Sequence, residues 1–444
     1  MTSLAANPIY AALFGDPQTE AFFTAKAELD TMIAVEAALA QAQSALGVIP
    51  SDAGPALAAA CEGLRIDAAA LAQATAQNGV PVPALVKAMR AQIDPAQGQY
   101  LHWGATSQDI MDSGLALRLR PMLDLWQVRL AGVTGQLAAL AGDHADLPMA
   151  ARTYGQVATP TSFGAVAAGW GWPLADHARG LDGLRAQVLR VSLSGAAGTL
   201  SAMGPQGPAV RAGMARALDL ADPGRGWHSD RSGLGHLADW AAGLAASLGK
   251  LAEDLLLMTQ SGIALVRIDG AGASSTMPQK QNPVGPSALV ALARQVMGLA
   301  AVFGTAGLHR QGRDGAAWFT EWLTLPQLCV STGAMLRLTA DVLARLSPDP
   351  QAMARDLTAS HGTIHAEALA FAVTETGVLD RVAASARVGA LCAVALREGR
   401  DLLDLAGAEW PGHDWAALTH ARALGCAPDE ARAFAAAYSS SLRR

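Results

Sequence analysis

Charge is scarce in this chain: Asp, Glu, Lys and Arg together supply 16% of the residues, against roughly 25% in ordinary globular proteins. Only four lysines occur, Lys26, Lys87, Lys250 and Lys280, and the formal net charge is -6. Without a basic stripe, neither nucleic acid nor an anionic membrane is expected as a partner. The four cysteines, Cys61, Cys329, Cys392 and Cys426, stand singly with no C-x-x-C pair, which points to reduced thiols rather than a disulfide framework or a zinc site. No stretch reaches the ~18 uninterrupted apolar residues of a membrane span, because Lys250, Glu253, Asp254 and Arg294 break the longest candidates. The opening MTSLAANPIYAALFGDP lacks a basic region and a cleavage site, so a soluble cytoplasmic protein is expected. Aromatic residues are 5% of the chain, yet hydrophobic residues are 51%. Ala and Leu dominate that fraction and β-branched runs are few, a composition that excludes disorder and favours helices.

Periodicity supports helices. From His236 to Gln260, Leu237, Trp240, Leu244, Leu248, Leu251, Leu255 and Met258 recur at spacings of three and four, one apolar seam. Similar patterns run from Asp112 to about Leu147, Ser162 to Val191, Val284 to about Gly304 and Trp322 to Leu346, with Pro121 and Pro326 as expected kinks. No alternation of period two persists long enough to suggest a sheet. Polar, Gly- and Pro-rich text at Gln97 to Ser107 and Ser347 to Pro350 divides the chain into an N-terminal helical domain (1–105), a central helix bundle (106–346) and a C-terminal helical domain (347–444). The wide apolar faces of the central helices would stay wet in a single bundle, and homo-oligomerisation is the simplest remedy.

Between two of these helices lies Gly270-Ala-Gly-Ala-Ser-Ser-Thr-Met-Pro-Gln-Lys-Gln-Asn-Pro283. Its Gly, Ser and Pro content reads as a loop. Ser274 and Ser275 offer hydroxyls, Lys280 a point charge and Asn282 an amide, a set able to hold a carboxylate and move a proton beside it. Read alone, the same residues also suit a plain solvated loop.

The order Gly272-x-Ser274-Ser275-x-Met277-Pro278-x-Lys280-x-Asn282-Pro283 resembles the signature loop of the fumarase/aspartase superfamily. Two further segments resemble that family's other signatures, in order: His102-Trp-Gly-Ala-Thr-Ser-Gln-Asp-Ile-Met-Asp-Ser113 and Arg152-Thr-Tyr-Gly-Gln-Val-Ala-Thr-Pro-Thr-Ser-Phe-Gly164. The resemblance implies an all-α, three-part subunit whose long central bundle forms the core of a homotetramer. Each active site would be shared between subunits. The implied chemistry is proton transfer at a carbon next to a carboxylate, through an aci-carboxylate whose two oxygens need preorganised donors. No metal or organic cofactor is implied. His361, His365 and Glu367 have a spacing that could hold a metal, but no further ligand set is evident.

By the resemblance, Ser274 is the catalytic proton carrier, with Lys280 lowering the cost of its oxyanion. His102, Thr106, Ser107, Arg152, Thr153, Tyr154, Gln156, Ser275, Met277, Asn282 and Arg313 would bind substrate. Without the family, Thr106-Ser107 reads as a helix N-cap, and Arg313 suits a structural ion pair equally well. The chain departs from the common pattern in one pair of positions. Tyr154 replaces the usual histidine acid, and Ser287 replaces the glutamate that pairs with it. Loss of both suggests a reaction that needs no imidazolium to escort a leaving group. An intramolecular carboxylate addition fits, because that nucleophile is ionised at neutral pH. Gly195-Ala-Ala-Gly-Thr-Leu200, Trp227-His228 and Trp318-Phe-Thr-Glu-Trp322 read like the lactone-forming branch of the family, whose substrate is a small tricarboxylate. A C–N lyase of the same family and a catalytically silent structural tetramer are the other readings.

Overall fold

The structure, a computed structural model, describes residues 7–270, 272–273, 277, 280–419 and 421–438. Five long helices carry the fold: Ser107–Asp143, Phe163–Val188, Ser232–Met258, Val284–Thr305 and Gly315–Leu343. They coincide with the five apolar periodic stretches of the sequence. Each of Pro121, Pro173 and Pro326 lies inside a helix that continues through it, giving up one backbone donor rather than ending the element. Shorter helices start on side-chain caps: Thr24, Asp67, Asp94, Asp349, Asp380 and Asp401 each accept a backbone N–H two or three residues on, satisfying donors a helix start leaves open.

The chain forms two compact units, residues 1–128, 177–246 and 291–337 in one and 129–176, 247–290 and 338–444 in the other. In the first, the Ala25–Ala45 helix packs on Ala53–Gly63 and Gly207–Leu218, burying Met32, Val35, Leu39, Leu57, Val210 and Met214. Gly54 permits that approach, since a Cβ there would stand 2.8 Å from the carbonyl oxygen of Ala40. In the second, Ala366–Glu375, Arg381–Glu398 and Leu402–Glu409 close a core containing Leu369, Val388, Leu402, Trp410 and Trp415.

Helices dominate as expected, but strands occur where none was expected. Pro148–Thr153 pairs antiparallel with Gln156–Ser162, Val266–Ile268 with Leu346–Pro348, and Gly272–Ala273 with Gln281–Asn282. The first hairpin turns through Tyr154 and Gly155, at φ 51° and 73°. Positive φ at both central residues is the twist-matched geometry for a two-residue hairpin, and Gly155 makes it accessible. The Val284–Thr305 helix is long and apolar enough to cross a membrane by length and composition, and 44% of its most apolar window is buried within the chain.

Candidate active site

In the first unit, the segment before the Ser107–Asp143 helix is held from several sides. The Arg90 guanidinium donates to the carbonyl oxygens of Gly98 (3.0 Å) and Leu101 (2.8 Å), and the Gln43 amide to that of Trp103 (2.6 Å). His102 adopts φ 60°, a left-handed conformation that costs a non-glycine residue energy unless its surroundings hold it. The holding group is Glu36, whose wholly buried carboxylate lies 2.6 Å from His102 Nδ1. Burial works against the charged ring, but Glu36 outweighs it and raises the His102 pKa above the ordinary value.

Thr106 and Ser107 are half-buried at the helix start. The backbone N–H of Thr106 donates to Asp109 Oδ2 at 3.0 Å. Asp109 is fully buried and gathers much more. It accepts the backbone N–H of Ser194 (2.8 Å) and Gly195 (2.9 Å) and lies 2.7 Å from His228 Nε2. Gln108 donates to the His228 carbonyl oxygen at 2.9 Å. One carboxylate thus ties together three segments that stand apart in the sequence. Beneath them, Arg231 is buried between Asp112 and Glu321 with four contacts of 2.7 to 3.0 Å and lies 4.9 Å from the centre of the Trp227 ring. Burial opposes its charge, but the two carboxylates outweigh that and raise the Arg231 pKa. Burial also raises the Glu321 carboxyl.

Arg313 donates to Thr106 Oγ1 (3.1 Å) and to the carbonyl oxygen of Ala196 (3.0 Å), and its Nε is buried without a partner. No carboxylate pairs with it among the described residues. Four residues earlier, both ring nitrogens of His309 are buried and unpartnered. Burial first, and Arg231 second, hold its pKa below the ordinary histidine value, leaving a neutral ring with one donor and one acceptor to spare. Asp109, His309 and Glu36 were absent from the sequence-based site. Only Asp109 carried a signal, as the acid two residues beyond Ser107 in the first signature.

In the second unit, Arg152, Thr153, Tyr154 and Gln156 are all exposed on the hairpin. Arg152 donates to both oxygens of Asp356, at 2.6 and 2.7 Å, so it is engaged by a carboxylate of its own chain. The Tyr154 side chain is fully exposed at the turn. Ser287 donates to the carbonyl oxygen of Pro283 at 2.9 Å, spending its hydroxyl on its own helix. Ser274 and Ser275 lie outside the described residues. Met277 and Lys280 are exposed, Asn282 is half-buried, and the Lys280 N–H donates to the Met277 carbonyl oxygen at 3.0 Å. Pairing of Gly272 with Asn282 and Ala273 with Gln281 brings the two ends of the signature segment together. His361 and His365 belong to no group of three or more His, Cys, Asp or Glu able to hold a metal among the described residues.

The profile of the family described as Lyase matches residues 6–298. The chain belongs to the fumarase/aspartase superfamily. This superfamily member is 38% identical over 415 residues to the 3-carboxy-cis,cis-muconate cycloisomerase of Pseudomonas aeruginosa, covering 92% of this chain and 90% of that one. The crystal structure of 3-carboxy-cis,cis-muconate lactonizing enzyme from Pseudomonas putida superimposes with a TM-score of 0.89 at 34% identity, covering 98% of this chain and 99% of that chain. Trans-aconitate decarboxylase 1 of Mycosarcoma maydis is 34% identical, over 88% of this chain and 80% of that one.

Proposed function

We propose that this protein is a 3-carboxy-cis,cis-muconate cycloisomerase. One observation carries the reading within the family: neither half of the usual acid dyad is available. Position 154 presents an exposed phenol at a turn, and the Ser287 hydroxyl is bonded to its own helix. A reaction that needs no acid at a leaving group fits that pair. One carboxylate of the tricarboxylate diene adds to the ring-closing carbon, forming a C–O bond, while electrons move onto a second carboxylate. Ser274 then protonates the carbon between and regains its proton from solvent. The trianion plus one proton becomes a dianionic carboxymuconolactone, and the reverse reaction uses Ser274 as base. Holding nucleophile and electrophile in one folded conformer supplies much of the rate.

In this reading Thr106, Ser107 and Arg313 take a carboxylate, helped by the positive end of the Ser107–Asp143 helix. Arg313 suits the role because its guanidinium has no acid partner among the described residues. His102, whose pKa Glu36 raises, adds a ring nitrogen to the site. Lys280 stabilises the serine oxyanion, and Ser275, Met277, Asn282, Thr153, Tyr154 and Gln156 complete the wall. Arg152 would have to leave Asp356 to reach substrate.

The three-part organisation at 1–105, 106–346 and 347–444 belongs to the same proposal, as does a cytoplasmic homotetramer with sites shared between subunits. Support for assembly comes from large apolar side chains exposed on the long helices, Val128, Leu257, Met297 and Leu323, which a partner chain would cover. Purified protein mixed with 3-carboxy-cis,cis-muconate should erase the diene's ultraviolet absorbance. Trans-aconitate should release no carbon dioxide, and adenylosuccinate should be untouched. An unchanged diene spectrum alongside turnover of either other compound would overturn the reading.

A further inference from the structure

The first unit contains a second place for a small molecule, bordered by Met111 and Asp112 at the end of the first signature segment but by none of the residues proposed to bind substrate. A cavity of about 570 Å³ opens between the Ala25–Ala45, Ala68–Asn78, Ser107–Asp143 and Gly315–Leu343 helices. That volume is in the range of drug-sized ligand pockets. Its walls are mostly apolar, with the rings of Phe23, Trp318 and Trp322 and the side chains of Leu71 and Leu115 among them. The Trp318 and Trp322 rings meet edge to face, centroids 4.8 Å apart.

One cation lines this cavity, and it is poorly satisfied. The Arg118 side chain is 11% exposed, and its nearest carboxylate oxygen, on Glu28, stands 4.0 Å away, too far for a hydrogen bond. Arg118 Nε is buried with no partner at all. The guanidinium sits 5.9 Å from the centre of the Phe23 ring. A buried guanidinium with donors unspent is costly unless something accepts from it. The two other acids of the lining, Asp112 and Glu321, are already clamped on Arg231. A carboxylate arriving on an aromatic ring would supply the missing acceptors in the paired geometry that guanidinium favours, while the ring lies against the aromatic wall.

We propose that this cavity is a binding site for a small aromatic monocarboxylate, with Arg118 holding the carboxylate and Phe23, Trp318 and Trp322 enclosing the ring. A tricarboxylate does not fit the same description. There is one cation for three anionic groups, and Glu28, Asp112 and Glu321 would repel the remainder. The site is therefore distinct from the one that takes the proposed substrate, and it stands or falls independently of that activity.

Calorimetric titration of the whole protein with 1-naphthoate and its uncharged isostere 1-naphthamide tests the proposal. The acid should bind saturably, once per chain, about tenfold or more tighter than the amide, the value of one charge-assisted pair. Arg118→Met should abolish that preference. Glu28→Gln, which leaves Arg118 in place and removes its distant competitor, should tighten naphthoate binding and so guards against a mere folding defect in the first variant. Equal affinity for acid and amide, or naphthoate binding indifferent to Arg118→Met, would overturn it.

Discussion

Asp109→Asn is the most informative single change to the frame of the site. The carboxylate offers Oδ1 to the Ser194 N–H and to His228, and Oδ2 to the N–H groups of Thr106 and Gly195. An asparagine keeps one acceptor oxygen and puts an NH2 group in place of the other. Turned one way, its NH2 faces the N–H groups of Thr106 and Gly195; turned the other, it faces the Ser194 N–H and His228, whose Nε2 can accept from it, so at least one backbone N–H meets a donor instead of an acceptor. Hydrogen bonds to charged groups contribute roughly 1.5–3 kcal/mol each, so losing even one costs about 1.5–3 kcal/mol in a site with no solvent to compensate. At about 2–4 °C per kcal/mol for domains of 150–250 residues, the melting temperature should fall by on the order of 3 °C or more. Because either orientation loosens the tether between the start of the Ser107–Asp143 helix and residues 194–195, the Michaelis constant for the diene should rise as well. Thermal unfolding by near-ultraviolet circular dichroism, run beside the absorbance assay, reads both effects. An Asn variant that melts and binds like the parent would show that residues 194–195 and His228 are positioned by something else.

Four further outcomes are expected. The Glu36–His102 pair raises the histidine's folded pKa above the ordinary 6.5, so its stabilisation is complete below that pH and is lost as pH rises through the folded value; melting of Glu36→Gln across pH 5.5 to 9 should lack this decline. Burial pushes the Cys61 thiol up to about 11 and Cys329 higher still, whereas Cys426 is exposed; an aromatic disulfide reagent should label Cys426 first and reach Cys61 and Cys329 only on unfolding. Tyr154→Phe should leave diene turnover within a few fold, since the phenol is assigned no proton transfer, and a loss of about 10²-fold or more would make it an acid. Ser274→Ala should lower kcat by about 10²–10⁴-fold, the usual value of a proton-transfer group, with little change in the Michaelis constant.

Much of the helical frame can be read from periodicity alone. The Val284–Thr305 and Ser232–Met258 helices match their apolar seams to within a few residues, because spacings of three and four are local and each helix buries one stripe. The Pro148–Ser162 hairpin escaped that reading even though its turn chemistry was present in Tyr154-Gly155. Its strands are short and half-exposed, so the burial that produces a clear alternation is missing. The site divides the same way. Thr106 and Ser107 stand beside a helix start and were legible. The role of Asp109 depends on partners 85 to 119 residues away, and the unspent donors of Arg118 and Arg313 depend on what the fold fails to place beside them. No spacing rule encodes either. The resemblance made Arg313 a ligand group while the residue alone also suited an ion pair, and only the folded chain shows its neighbours to be a hydroxyl and a carbonyl.

If carboxylate binders and proton-transfer groups from different chains meet in one site, mixing of subunits restores activity that neither component has. Arg313→Met and Lys280→Met should each be inactive alone. Unfolded together in equal amounts and reassembled, they should regain about a quarter of the parent's diene turnover, the fraction of sites that inherits both intact residues when these come from separate protomers. Mixtures that reassemble and remain as inactive as their components would contradict a shared site.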